Sequence, residues 1–97
     1  MEFTERRYSV LLVSSSPKFN ESMLALLPES RFYPVAAVSD VSSARRRLLE
    51  SKYDIVIINA PLPDDFGTRL ALNICDNSGT AVLLFVKAEH YPDINGR

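Results

Sequence analysis

Cysteine and histidine are almost absent: the 97 residues hold one of each. Cys75 has no second thiol for an internal disulfide, a usage that fits a reducing, cytoplasmic compartment. No activating histidine lies near it in sequence, so it reads as a small packing group rather than a nucleophile. His90 sits in a polar segment with no His, Cys or carboxylate at metal-ligand spacing, which makes it a surface residue. Charge of neither sign is in excess. Eleven Lys and Arg face twelve Asp and Glu, for a net charge of -1, so nothing global points to nucleic acid or an anionic membrane. Long hydrophobic runs are missing too. The longest, residues 81–86, falls far short of the roughly 20 residues a membrane-spanning helix needs. Glu2 and Glu5 stand in an N-terminus without an extended apolar stretch, so neither a signal peptide nor an anchor is expected there.

What the chain does have is an alternation of short aliphatic runs and amphipathic stretches. Residues 10–13, Val-Leu-Leu-Val, have a strand's length and β-branched ends. Ser14-Ser15-Ser16-Pro17 follows, and a serine before proline suits a helix start, with the hydroxyl capping free N–H groups. Phe19, Met23, Leu26 and Leu27 recur at helical spacing, and Pro28 closes the helix. Residues 33–38 read as a second strand. Ser39 or Asp40 caps a second helix with Val41, Ala44, Leu48 and Leu49 as its buried stripe. Ile55-Val56-Ile57-Ile58 is a third strand, and its unbroken apolar character implies helices on both faces of the sheet. Residues 67–75 form a third helix that buries Leu70, Ala71 and Ile74; Asn77-Ser78-Gly79 breaks it, and residues 81–86 are a fourth strand. Beyond Val86 the chain is polar, with a short helix start at Tyr91-Pro92-Asp93-Ile94. Strand–helix alternation of this kind predicts one α/β domain spanning residues 1–97, a doubly wound parallel sheet with right-handed crossovers.

Three features of this layout resemble the receiver domain of two-component response regulators. One is the aliphatic strand that ends in a polar group, then Pro17 and a helix. A second is the stretch from Tyr53 to Gly67, with its Leu62-Pro63 pair and a glycine eight positions beyond Asn59. The third is the apolar strand ending at Val86. The resemblance runs from about Tyr8 to about Ala88 and implies the flavodoxin-like strand order 2-1-3-4, with a fifth strand and last helix of the family layout lacking a counterpart.

The same resemblance exposes what is replaced. The family's phosphoacceptor aspartate corresponds to Asn59, and a carboxamide is no nucleophile because its nitrogen lone pair is delocalised into the carbonyl. The family's acidic pair, which holds a divalent ion, corresponds to Ser14 and Ser15, which bring no negative charge to a hard cation. The switch hydroxyl corresponds to Val86, with Lys87 beside it, and valine offers no hydrogen bond to a phosphoryl oxygen. Asp54, Asp64 and Asp65 are the remaining acids near this region, and none has a partner arranged for acid–base work. No enzyme activity and no cofactor are expected.

These replacements imply a degenerate receiver: a protein-interaction or dimerisation module of signal transduction, in a transcription-regulator setting, that works without aspartyl phosphorylation. Without a fifth strand, residues 81–86 become an uncharged sheet edge, so self-association through Val82, Leu84 and Val86 is expected. Alternatively, the remainder of a longer protein supplies the missing strand. Nucleic acid enters only by analogy, since some relatives with weakened sites precede an RNA-binding antiterminator domain; Arg45-Arg46-Arg47 reads as the solvated face of a helix. The alternative function is a flavodoxin-like small-ligand or flavin-binding domain, with Ser14-Ser15-Ser16 at a helix N-terminus cradling a phosphate, although that loop has no glycine to wrap an anion.

Overall fold

The computed structural model describes residues 6–77 and 79–86, the side chain of Asn77 excepted. Lys87, His90 and the segment 91–94 lie outside the described residues. Elements follow in the order β1 (Tyr8–Val13), α1 (Pro17–Ala25), β2 (Phe32–Val38), α2 (Val41–Glu50), β3 (Ile55–Ala60), α3 (Thr68–Asn77) and β4 (Ala81–Val86). The strands form one sheet, ordered β2-β1-β3-β4, with every neighbouring pair parallel. This is the doubly wound parallel sheet that the alternation implies, in the flavodoxin-like order that the receiver resemblance implies.

Strand periodicity divides the core into two. Side chains alternate across a sheet, so Leu11 and Val13 of β1 share a face with Val56 and Ile58 of β3. That face packs against Val41 and Ala44 of α2 and Leu70, Ala71 and Ile74 of α3. The opposite face presents Val10, Leu12 and Ile57 to Phe19, Met23 and Leu27 on and after α1. The α2/α3 side therefore holds most of the buried apolar surface, and α1 has no fully buried residue of its own. Each buried Leu, Ile or Val contributes roughly 1.5–3 kcal/mol relative to an exposed one, so stability is concentrated on the α2/α3 side.

Helix starts follow the local signals. The Ser16 hydroxyl accepts from the Phe19 amide and Pro17 occupies the first turn. Of the two candidate caps before α2, it is Asp40 whose carboxylate accepts from the Ser43 amide. Helical phase was less legible. Leu26 is 68% exposed and Leu49 is 88% exposed, so neither belongs to its helix's buried stripe. The first helix ends at Ala25, ahead of Pro28, which puts Leu26 in the cap. Leu49 stands about 100° round from Leu48, beyond the arc that meets the sheet. Cys75 is also exposed, and so does not serve the packing role its residue type suggested. Helix α3 starts one residue later than the spacing indicates and continues to Asn77, while β4 has the bounds expected of it.

Candidate functional site

Open α/β sheets place ligands beyond the carboxyl ends of their central strands, here β1 and β3. Ser14 follows the last residue of β1, and its amide donates to the Val38 carbonyl at 2.9 Å, extending the ladder by one step. Asn59 is the penultimate residue of β3 and pairs in register with Phe85 of β4. The two meet: Asn59 Nδ2 donates to Ser14 Oγ at 3.3 Å. Ser14 is buried, Asn59 half-buried and Ser15 exposed. The Ser14 hydroxyl also accepts from the Ser16 amide at 3.1 Å, so strand β1, the α1 entrance and β3 are joined through one oxygen. Val86 lies at the end of β4, opposite Ala60.

The donor set decides what this place can hold. A divalent ion of the magnesium type asks for carboxylates, and the residues at the strand ends supply two hydroxyls and an amide. The nearest carboxylates are engaged elsewhere. Asp64 accepts from the Val41 amide at 2.9 Å and the Ser42 amide at 3.0 Å, clamping the loop after β3 onto the N-terminus of α2. Donation from Val41 above all, then from Ser42, holds its carboxyl below the usual carboxylate range. Asp65 caps its own turn by accepting from the Phe66 amide. Among the described residues, no three His, Cys, Asp or Glu side chains converge in a way that would hold a metal. The residues present do not fit the ion.

Nor is the β1–α1 loop arranged as an anion cradle. Its Ser16 amide is taken by Ser14 Oγ, the Phe19 amide by Ser16 Oγ, and Pro17 has no N–H to give. A groove of about 640 Å³ does exist, between α2 and α3, lined by Leu48, Leu49, Tyr53, Leu70 and Ile74. It lies toward the amino ends of the strands, away from Asn59.

Asp54 is at that far end as well. Its carboxylate accepts from the Ser9 amide at 2.9 Å, the Ser9 hydroxyl at 3.2 Å and Arg6 at 3.1 Å. The Ser9 amide is the main reason its pKa is lowered from 3.8; desolvation opposes it, and the Ser9 hydroxyl and Arg6 add to the lowering. This residue pins β1 to the start of β3, at the opposite end of the strands from Ser14 and Asn59. The Asp54 and Asp64 clamps were not foreseen from the sequence, because each joins residues far apart in the chain. Gly67 has a clearer signal. Its φ of +116° suits only glycine, and a Cβ there would stand 3.1 Å from Ile58 Cγ2. Its fixed spacing from Asn59 is the trace of that turn.

No protein-family model matches the sequence, and no curated protein does. The fold has a solved counterpart. An aspartate-to-alanine mutant of the response regulator MaeR, bound to sulfate, aligns with a TM-score of 0.78 over 93% of this chain and 75% of that one, at 17% identity. The fold is the receiver fold of response regulators, with four parallel strands in the order 2-1-3-4 and three helices among the described residues. None of the described helices is long and apolar enough to cross a membrane.

Proposed function

We propose that this chain is a pseudo-receiver, a signalling module that binds a protein partner, including a second copy of itself, without being phosphorylated on aspartate. One observation carries the reading. At the strand ends, where phosphoryl transfer to aspartate needs a carboxylate nucleophile beside a cation held by further carboxylates, an Asn59 amide donates to a Ser14 hydroxyl. The pair is hydrogen-bonded and neutral. It ties β1 to β3 as a fixed link, so nothing at this point gains or loses charge to shift a conformational equilibrium. The receiver fold supports a signalling role in preference to an enzymatic one, and the cytoplasm is the natural setting. A transcription-regulator context, with nucleic acid contacted only through an output domain, belongs to the same proposal.

The test is incubation with acetyl phosphate and magnesium, followed by intact mass. No phosphate adduct is expected, on the native chain or on the Asn59→Asp variant, since that variant still lacks carboxylates at Ser14 and Ser15. A stoichiometric adduct on the native chain would overturn the reading. The loop geometry favours the flavin-binding alternative less, because the Ser16 and Phe19 amides are already bonded within the chain and Pro17 has none to give.

A further inference from the structure

The two edges of the sheet are built differently. Strand β2 carries Pro34, and its pairing with β1 is irregular between Tyr8 and Val10. The Arg7 guanidinium lies 4.9 Å from the centre of the Tyr33 ring, placing a charge on that edge. Strand β4, the other edge among the described residues, reads Ala-Val-Leu-Leu-Phe-Val and has no proline, charge or bulge. Its Leu83 and Phe85 are 43% and 39% exposed on the α1 face, while Val82 and Leu84 pack toward the larger core.

Backbone direction settles which groups this edge offers. The Ala81 amide donates to the Asp54 carbonyl, so Ala81 points its polar groups toward β3. Peptide directions alternate along a strand, so Leu83 and Phe85 also point inward, and Val82, Leu84 and Val86 point outward. In an antiparallel pair, residues that exchange both hydrogen bonds face each other with both sets of polar groups pointing across. Directly opposed residues also share a face of the sheet.

We propose that β4 pairs antiparallel with β4 of a second copy of this chain, about a twofold axis normal to the sheet at Leu84. Leu84 then exchanges hydrogen bonds with Leu84 of the partner subunit, and Val82 with Val86 of the partner subunit. Between these pairs, Leu83 stands against Phe85 of the partner subunit, an aliphatic–aromatic pair on the less covered face. This register engages all three outward-facing residues of the strand. A centre at Leu83 instead would oppose Leu83 to its own copy and leave Val86 beyond the strand's end. The uncharged strand is self-complementary, so the twofold contact opposes no like charges, and the interface is isologous and closes on itself. This proposal rests on the interaction-module reading and names its partner and register.

The experiment uses the whole chain. Sedimentation equilibrium is expected to give the mass of two 10.9 kDa chains, and Leu83→Glu or Phe85→Lys alone to return it to one. The double variant L83E/F85K restores the dimer, because in this register each Glu faces a Lys of the other copy; with the centre at Leu83 two glutamates would be opposed. Circular dichroism checks that the variants fold. The native chain provides a test that needs no variant. Amides of Val82 and Leu84 are expected to be protected from exchange in concentrated solution and to lose protection on dilution, with Leu83 and Phe85 protected throughout. A native monomer, or protection of Val82 and Leu84 that ignores dilution because the chain covers its own edge, overturns the proposal. So does a folded double variant that stays monomeric. The phosphorylation test is separate: a dimer that takes up phosphate supports the pairing and removes the pseudo-receiver reading.

Discussion

At the scale of single residues, the chain combines one backbone requirement with two buttressed carboxylates. Gly67 occupies a φ that an L side chain rarely adopts, and the space behind it is filled by Ile58 and Leu62. Gly67→Ala should therefore cost about 1–3 kcal/mol, read as a lowered urea midpoint with the slope of the transition unchanged. Asp54 and Asp64 have pKa values held below the ordinary 3.8 by donated hydrogen bonds. A depressed folded pKa means that stability is fully present above the unfolded value and is lost as pH falls through the folded one. Urea midpoints should accordingly hold steady from neutral pH to about 5 and decline below about pH 4. Asp54→Asn should lower the neutral-pH midpoint and flatten that acid limb. An unchanged acid limb would mean that the Ser9 contacts contribute nothing in solution.

At the scale of elements, α3 shows how phase translates into energy. Leu70 is buried against the sheet, whereas Leu72, two residues on, is 60% exposed. Truncating Leu70 to alanine should destabilise by about 2–5 kcal/mol, because it removes buried methyl groups and leaves a cavity. Leu72→Ala should stay within about 0.5 kcal/mol of the native chain by the same chemical denaturation. Helix α2 illustrates a different kind of support, since its N-terminus receives Asp40 from its own strand of sequence and Asp64 from the loop after β3. Asp64→Ala should speed amide exchange at Val41 and Ser42 while Ser43, still capped by Asp40, keeps its protection. That outcome would separate the clamp from the ordinary cap.

At the scale of the whole molecule, the two faces of the sheet are unequal, and local opening should follow that inequality. The α1 face rests on three buried residues, Val10, Leu12 and Ile57, with α1 itself only partly covered. Native-state exchange should release the amides of α1 at lower free energy than those of α3. Equal protection across both helices would contradict the division of the core described above. The same face carries Leu83 and Phe85, with Phe85 edge-on to Phe19 at 5.4 Å between ring centres, next to the edge proposed to pair.

The order of elements, the parallel doubly wound class and the limits of β4 were all legible in the sequence, because hydrophobic period and caps are local properties. So was the presence of neutral residues, Ser14, Ser15 and Asn59, where two of the apolar strands end. Which arc of each helix meets the sheet was decided by packing. Leu26 and Leu49 satisfy a helical spacing and still face outward, and Cys75 is exposed despite its type. The tertiary structure alone joined Asp64 to the start of α2 and Asp54 to Ser9, and it set the Asn59 amide on the Ser14 hydroxyl. Contacts between residues distant in the chain leave no periodic trace, and only the closing of the sheet brings them within hydrogen-bond reach.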